Sequence, residues 1–428
     1  MKKFSRNTRK LDRNDINMPM NQLKETFNRF SPKFWILVLS RFIDRLGGTI
    51  IFPFFSLYIT QKFEVGMTEA GALLGSFATF SFIGSLIGGA LADRFGRKGM
   101  VIFGLVFSAL SSITFGLINE FWMFFVMSVF VGLLSDIAGP AHQAMVADLL
   151  PEEHRAQGYG ILRVSANLAW IIGPMIGGLL AGVSYLLLFV LDAISSIIVA
   201  AVVLAFIPET KPESIADTEQ ESLSTTFKGY LIVAKDGLFM AFITASIFIN
   251  FAYGQIYNTL SVYLRDVHGI PAQGYGLLMS ANATSVVLLQ FWISSRTRKR
   301  PPLLMMALGT GFYLIGFAMY GFVAGFGLFL AAMLLITIGE MIVIPLGQTL
   351  VAKFAPEDMR GRYMALFGLS WVVSAAIGPG LSGMILDGPR PELLWYLCVI
   401  SCVIGIVAML WLHRRGGEKF ASMEPSEA

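Results

Sequence analysis

Charged residues lie inside several long apolar segments of this sequence. Arg41, Asp44 and Arg45 occur in the first of these segments, and Glu340 occurs in a late one. An ionisable residue within a membrane-spanning helix is costly, so it is by default a functional residue that needs a partner. The types of these residues therefore favour proton exchange and the recognition of charged groups.

Glu340 is the main candidate for proton exchange. No basic residue lies near it in the segment Ile338–Pro345. Apolar surroundings favour the protonated form of a carboxyl group, which is what a group that gains and loses protons near neutral pH requires. Asp136 is a second candidate, because the internal repeat described below maps it to position 341, next to Glu340.

Asp44 admits two interpretations. Arg41 and Asp44 are three residues apart, so on a helix they share a face and can pair. In the first interpretation they form a structural ion pair, since a buried pair need not be functional. In the second, Asp44 exchanges a proton and recognises a cationic substrate, and Arg41 belongs to the substrate site.

Long apolar segments must position these residues. Of the 428 residues, 55% are hydrophobic and only 14% are charged, whereas soluble proteins contain about 25% charged residues. A membrane-spanning helix needs about 20 mainly apolar residues. The segments that qualify are 34–60, 69–92, 99–118, 121–149, 159–184, 185–207, 237–262, 272–295, 301–323, 326–354, 360–386 and 392–413. The sequence therefore predicts an all-α integral membrane protein with 12 transmembrane helices.

An internal repeat divides these helices into two sets of six. At a constant offset of 205 residues, Tyr58 recurs as Tyr263 and Gly173-Pro174 as Gly378-Pro379. Such self-similarity predicts two pseudo-symmetric six-helix bundles with the same topology. The predicted regions are a basic N-terminal tail at 1–33, a first bundle at 34–207, a linker at 208–236, a second bundle at 237–413 and a C-terminal tail at 414–428.

The basic residues predict the orientation in the membrane. Of the 32 Lys and Arg residues, 26 lie in the two tails, the linker and the loops on the same side. Because cytoplasmic loops carry the excess of Lys and Arg, both termini and the linker are predicted to be cytoplasmic. The same distribution argues against a nucleic-acid partner.

The connection after the second apolar segment carries a charged motif. Gly88–Lys98 combines an acid, three bases and glycines, which suit a tight turn. It resembles the signature loop between transmembrane helices 2 and 3 of the major facilitator superfamily. In one interpretation its bases only fix the topology; in the other it is a gating latch between the bundles.

The resemblance implies a role for each residue of the latch. Arg97 would pair with Asp148 at the end of predicted helix 4, and Asp93 would cap the start of predicted helix 11, around 360–363. Only the first copy of the motif keeps its acid and glycines, which favours the latch. The implied gating residues are Gly89, Asp93, Arg94, Gly96, Arg97, Lys98 and Asp148.

Predicted helix 5 carries a second motif. Ala169–Gly178 resembles the glycine–proline motif of proton-coupled drug antiporters in the same superfamily, with Ala169 in place of the usual leading glycine. The matching residues are Gly173, Pro174, Gly177 and Gly178. The resemblance implies export, although ordinary packing of small residues is an alternative, because part of the motif recurs in predicted helix 11.

Predicted helix 7 supplies polar and aromatic side chains for a substrate cavity. Tyr253 and Tyr257 are four residues apart and share a helix face. Such groups accept varied lipophilic cations by stacking and cation–π contact. The predicted substrate-binding residues are Arg41, Trp170, Asn250, Tyr253, Tyr257 and Asn258, with Phe54, Phe55 and Met341 as further lining.

The sequence resembles a 12-helix proton-coupled drug antiporter of the major facilitator superfamily. This resemblance implies alternating access, export of lipophilic or cationic drugs, and a monomer in the bacterial cytoplasmic (inner) membrane. The expected partners are membrane lipid, a small-molecule substrate and protons; no enzyme activity, metal or cofactor is expected beyond the proton gradient. Two alternatives stay open: a proton-coupled transporter of a specific metabolite, such as a sugar, amino acid or siderophore, and a sensor or lipid-flipping protein.

Overall fold

Twelve long apolar helices dominate the structure. The computed structural model describes residues 29–135, 137–210, 223–298, 300–356 and 359–420. Within these ranges, twelve helices are long and apolar enough to cross a membrane, which confirms the predicted all-α fold and number of spans. We number them α1 Pro32–Lys62, α2 Met67–Phe95, α3 Arg97–Leu117, α4 Phe121–Leu149, α5 Glu152–Ala181, α6 Tyr185–Phe206, α7 Gly237–Asn258, α8 Ala272–Thr297, α9 Pro302–Tyr320, α10 Phe326–Phe354, α11 Arg360–Leu386 and α12 Leu393–Phe420.

The two faces of the bundle are defined by its ends. Consecutive spans run in alternating directions, so α1 begins and α12 ends on the same side, which we call the terminal side. The opposite side carries the connection between the end of α1 at Lys62 and the start of α2 at Met67.

Two spans are interrupted beside a proline. In α1, Phe52–Phe54 forms a 3-10 turn around Pro53. In α4, the helix that ends at Ser135 is followed by a second helical segment that starts at Gly139-Pro140. Proline lacks a backbone N–H and cannot continue the hydrogen-bond ladder of a helix. Both breaks lie at the cavity described below.

The charged connection between α2 and α3 is mostly helical. We expected a turn over Gly88–Lys98, but α2 continues through Phe95 and α3 starts at Arg97. The connection is therefore shorter than expected, because the helix predicted at 69–92 continues to Phe95. Only Gly96 lies between the helices, and its φ of 89° is one that residues with a Cβ atom rarely adopt.

Matching contacts in the two bundles reflect the internal repeat. The Tyr58 hydroxyl group donates to the Phe115 carbonyl oxygen at 2.7 Å, and the Tyr263 hydroxyl group donates to the Tyr320 carbonyl oxygen at 3.1 Å. Each residue of the second pair follows its counterpart by the repeat offset. Ser56 and Ser261, which are 205 residues apart, hydrogen-bond each other at 3.4 Å. The pseudo-twofold axis therefore passes between these two serines.

Small residues bring the bundles together at two helix crossings. Gly71 of α2 packs directly against the backbone of Pro379 of α11, and Gly276 of α8 packs against the backbone of Pro174 of α5. The second crossing repeats the first at the same sequence offset. Glycine allows such close approach because it has no Cβ. Both crossings lie towards the opposite side, where they hold the bundles in contact.

The linker contains a helix that contacts the second bundle. This helix, Leu223–Ala234, packs against α11, where Gly229 lies against the Arg362 side chain. It lies within the linker predicted at 208–236. At the other end of the chain, α12 extends seven residues beyond the predicted boundary at 413, because the helix continues to Phe420.

Candidate functional site

Two adjoining cavities occupy the terminal-side part of the molecule. The smaller, of 470 Å³, lies within the first bundle, between α1, α3, α4, α5 and α6. The larger, of 710 Å³, reaches the second bundle, because Gln348 of α10 lines it together with α1, α4 and α5. Arg41, Arg45 and His142 line both cavities. Since the crossings close the opposite side, this space is the candidate substrate pathway.

Arg41 and Asp44 form an ion pair in this cavity. An Arg41 guanidinium nitrogen lies 3.5 Å from a carboxylate oxygen of Asp44. Arg45, one residue further along α1, lines the cavity with an exposed side chain. The spacing of three residues therefore produces the expected pairing, and Asp44 is not a lone acid.

Asp192 of α6 also lines the smaller cavity. Its carboxylate accepts a short hydrogen bond from the Ser112 hydroxyl group of α3. In the structure Asp192 bonds to a serine, and Arg163 has an exposed side chain in the larger cavity.

Glu340 lies in a polar cluster within the second bundle. Its Oε2 atom accepts a hydrogen bond of 2.7 Å from Asn282 Nδ2 of α8. The same amide nitrogen donates to the Thr337 hydroxyl oxygen at 2.9 Å, and the Tyr253 hydroxyl group also hydrogen-bonds Glu340. Among the residues described, no Lys, Arg or His nitrogen lies within 4.0 Å of the Glu340 carboxylate.

A pair of tyrosines connects this cluster to the first bundle. The hydroxyl groups of Tyr253 and Tyr257 are 3.1 Å apart. The Tyr257 ring meets the Trp170 ring edge to face, with their centroids 5.5 Å apart, and lies 6.0 Å from the Phe52 ring. Trp170 and Phe52 line the smaller cavity. A polar and aromatic path therefore runs from Glu340 to the cavity wall.

Several predicted lining residues lie elsewhere. Phe54 is fully buried and packs against Tyr275, and Phe55 packs against Phe115 and Phe124. Met341 is buried in the core. These three predictions are wrong. For Phe54 and Phe55 the reason is the 3-10 turn in α1, which directs Phe52 towards the cavity. Met341 lies on a buried face of α10.

The two predicted asparagines of α7 are also separate from the large cavities. Asn250 Nδ2 donates to the Ser370 hydroxyl oxygen of α11 at 3.0 Å and lines a small pocket of 40 Å³ within the second bundle. Asn258, at the end of α7, is half-buried. Neither residue lines the two cavities that contain Arg41.

The residues of the charged motif contact the first bundle. Arg97 forms an ion pair with Asp148, the partner expected from the family resemblance. Glu209 accepts hydrogen bonds from the backbone N–H groups of Arg97 and Lys98 at 2.9 and 3.2 Å, so it caps the start of α3. The Lys98 ammonium group donates to the Leu204 carbonyl oxygen at 2.8 Å. No sequence pattern predicts the Glu209 contact, because Arg97 and Glu209 are 112 residues apart.

Some predicted site residues lie outside the part of the chain that the structure describes. These are Asp136 and the side chains of Asp93 and Arg94. The predicted contact between Asp93 and α11 and the predicted proximity of Asp136 to Glu340 therefore stay predictions. The backbone of Gly89 lies within α2.

The glycine–proline motif of α5 packs against both bundles. Gly173 lies against Thr49 of α1, and Gly177 lies against Ile50 and Phe54. Gly178 faces the start of α8, next to the crossing formed by Pro174. The motif therefore serves close packing on two sides of α5.

An unpredicted contact joins the bundles at the opposite side. The Asp387 carboxylate, at the end of α11, accepts hydrogen bonds from the backbone N–H groups of Met67 and Thr68 at 2.8 and 2.7 Å. The Thr68 hydroxyl group donates to it at 2.5 Å. A carboxylate at the start of a helix is favourable, because the free N–H groups and the helix dipole attract an anion. An acid following a helix is too common a pattern to predict this contact.

The fold and the cavity define a multi-pass membrane transporter. The family model of the Major Facilitator Superfamily matches residues 37–371 and 305–425. The chain therefore belongs to the Major Facilitator Superfamily. Members of this family are transporters rather than enzymes, and this chain is likewise a transporter, with a small-molecule substrate.

Two relatives align with most of the chain. A Na(+), Li(+), K(+)/H(+) antiporter of Planococcus maritimus is 28% identical over 80% of this chain and 87% of its own length. The multidrug resistance protein MdtH of Shigella flexneri is 24% identical over 88% of this chain and 93% of its own length.

A solved structure supports the fold independently. A POT family transporter in complex with a thioalcohol-conjugated peptide aligns with a TM-score of 0.75, at 17% identity, over 90% of this chain and 96% of its own. At this identity the likeness supports the fold alone.

Proposed function

We propose that this protein is a proton-coupled exporter of lipophilic small molecules, in which Glu340 exchanges the proton. The observation that carries the proposal is the position of Glu340, held by the Asn282 amide at 2.7 Å without a cationic partner among the described residues. A carboxylate paired with Arg or Lys resists protonation more strongly than a carboxylate held by neutral hydrogen-bond donors. The MdtH relative supports drug export as the direction.

The tyrosine pair supplies a route for coupling. Protonation of Glu340 removes the charge that Asn282 and Tyr253 stabilise, so these donors must rearrange. Tyr253 hydrogen-bonds Tyr257, and the Tyr257 ring lies against Trp170 in the first bundle. A change at Glu340 therefore alters the contact between the bundles, which is where alternating access requires it.

The proposed cycle uses the two sides of the bundle in turn. The described state has the opposite side closed by the α2–α11 and α5–α8 crossings, with the cavity towards the terminal side. We assign the terminal side to the cytoplasmic face of a bacterial inner membrane, because most of the basic residues lie on that side. The substrate then enters from the cytoplasm, and rocking of the bundles releases it outside in exchange for a proton.

The substrate of the proposal is lipophilic rather than cationic. Three arginines line the two cavities, Arg41, Arg45 and Arg163, against the two described acids Asp44 and Asp192. A cationic drug would meet an excess of like charge in this space. The aromatic wall of Phe52 and Trp170 suits an uncharged apolar body.

Transport by proteoliposomes tests the proposal. Proteoliposomes with an imposed pH gradient are given N-phenyl-1-naphthylamine, a neutral lipophilic fluorescent probe. The expected result is gradient-driven transport that is lost in Glu340→Gln and retained in Glu120→Gln, an exposed acid between α3 and α4. Gradient-driven transport by Glu340→Gln at the wild-type rate would overturn the proposal.

A second candidate function is exchange of alkali cations for protons. It is favoured by the oxygen atoms of this cluster: the Tyr253 hydroxyl group hydrogen-bonds Glu340, and the Thr337 hydroxyl oxygen shares the Asn282 amide with it. Carboxylate and hydroxyl oxygens are suitable ligands for hard cations. The Planococcus relative is named for this activity. Proton movement on addition of NaCl, LiCl or KCl to proteoliposomes without any organic substrate, abolished in Glu340→Gln, would establish this function instead.

A further inference from the structure

We propose that the larger cavity binds the acidic head group of an amphiphilic molecule, a carboxylate or a phosphate, between Arg45 and Arg163. This inference deepens the proposed export of lipophilic molecules and rests on it for the physiological role. It names the chemical class of the substrate, which the apolar wall alone does not.

The two arginines come from different helices to one space. Arg45 of α1 and Arg163 of α5 both line the cavity of 710 Å³, and both side chains are exposed. Each lies inside a membrane-spanning helix. Their exposed surface therefore faces the pathway, where a solute can reach it.

Arg41, the third arginine of the two cavities, already has a carboxylate partner, because Asp44 lies 3.5 Å from it. Within the described ranges, no Asp or Glu oxygen lies within 4.0 Å of Arg45 or Arg163. Guanidinium groups retain their charge in proteins, so these two keep a positive potential in the pathway. A bound anion would neutralise it.

The guanidinium group also determines which anions fit. Its planar fork of N–H donors matches the two oxygens of a carboxylate or phosphate, and such paired contacts are stronger than neutral hydrogen bonds. His142 also lines this cavity, but its Nδ1 atom is buried, so the arginines supply the donors. Two charged forks are therefore available to one head group.

The adjoining cavity accounts for the apolar part of the molecule. Arg45 lines both cavities, and the smaller one carries Phe52 and Trp170 on its wall. A head group at Arg45 therefore places an attached ring within reach of these aromatic side chains. This arrangement favours an aromatic or aliphatic acid over an inorganic anion.

A charge series on one apolar body tests the inference. Binding of 2-naphthoate, 2-naphthyl phosphate, 2-naphthamide and 2-naphthylmethylammonium to the purified protein in a neutral detergent is measured by calorimetry. We expect the two anions to bind at least about tenfold more tightly than the amide, or about 1.4 kcal/mol. The ammonium compound is expected to bind most weakly. Equal binding of the amide and the two anions would overturn the inference.

Variants locate the site. Arg45→Gln and Arg163→Gln are each expected to weaken 2-naphthoate about tenfold and to leave 2-naphthamide unchanged. Arg300→Gln, an exposed arginine in the α8–α9 connection, is the matched control and should bind like the wild type. Arg45→Lys keeps the charge without the fork, so an intermediate affinity is expected. This variant replaces Arg45→Gln if Arg45→Gln does not fold. Unchanged anion binding in both glutamine variants, or in Arg45→Lys and Arg163→Gln, would overturn the inference.

Competition with a lipid distinguishes a lipid head group from a free solute as the occupant of the site. Dihexanoyl phosphatidate that competes with 2-naphthoate supports the same anion site with a lipid head group as its occupant; absence of competition supports a free solute. Anion binding is measured without a pH gradient, so it is scored separately from proton-driven transport. Failure of proton coupling would leave this binding intact, whereas failure of the anion site would leave coupling intact.

Discussion

The Asp387 carboxylate accepts a hydrogen bond of 2.8 Å from the backbone N–H group of Met67, which joins the end of α11 to the start of α2. The two residues belong to different bundles. At the position equivalent to Asp387 in the repeat, the first bundle has Gly182, which lies against Gln273 at the start of α8. The opposite side is therefore closed by two symmetric crossings, of which only one carries a charged cap.

We expect Asp387→Ala to shift the protein towards the state that is open on the opposite side. Loss of a carboxylate that caps a helix start costs about 1 kcal/mol, which corresponds to about a fivefold change in the ratio of the two states. Spin labels at Glu69 and Arg390, in a background without Cys398 and Cys402, report this ratio as a distance distribution. A distribution that is unchanged in Asp387→Ala would show that this cap does not hold the closed state.

The crossing of α2 and α11 predicts a steric effect at Gly71. A Cβ atom at this position would meet the backbone of Pro379, which cannot move independently of its helix. Gly71→Ala is therefore expected to destabilise the closed state by about 1–3 kcal/mol, the usual cost of overpacking. The same spin labels measure the shift.

Gly311→Ala in α9 is the control for this substitution, because a Cβ atom there meets no neighbour. If both variants close equally well, the crossing at Gly71 is looser than the structure indicates.

The tyrosine pair predicts that binding and coupling can be separated. Tyr257→Phe keeps the ring against Trp170 but removes the hydroxyl group that lies 3.1 Å from that of Tyr253. We expect near-normal probe binding but transport that responds less to the pH gradient. Trp170→Leu should instead weaken probe binding, because it removes part of the aromatic wall. Proteoliposome transport and equilibrium binding, measured on the same preparations, distinguish these effects.

The ion pair of Arg97 and Asp148 fixes the start of α3 against the end of α4. Its side chains are 13% and 25% exposed, so solvent screens the interaction only in part. We expect Asp148→Asn to destabilise the protein by about 2 kcal/mol, as is usual for hydrogen bonds to charged groups. Thermal unfolding of the single and double variants with Arg97→Gln measures the coupling; additive effects would mean that the pair contributes nothing.

The sequence predicted the parts of the site that depend on local pattern. Hydropathy gave the spans, the offset gave the symmetry, and the spacing of Arg41 and Asp44 gave their pairing. Glu340 was recognised as unusual because a carboxyl group in an apolar helix is conspicuous without any partner.

Which face of a helix meets the cavity was not predictable from the sequence. Phe52, Phe54 and Phe55 are equivalent by composition, and the 3-10 turn around Pro53 decides which of them lines the space. The Asn282 contact to Glu340 spans 58 residues and depends on how α8 and α10 are rotated. Such rotations follow from side-chain packing between helices, which hydropathy does not record.

Proton release by the purified protein tests the central claim most directly. N-phenyl-1-naphthylamine is added to the wild-type protein in weakly buffered detergent solution, and a pH-sensitive dye reports the change in the pH of the solution. If Glu340 exchanges its proton for substrate, the wild type and Glu120→Gln release protons on binding, whereas Glu340→Gln binds the probe and releases none. Proton release by Glu340→Gln equal to that of the wild type would contradict the assignment of Glu340 as the proton-exchanging residue.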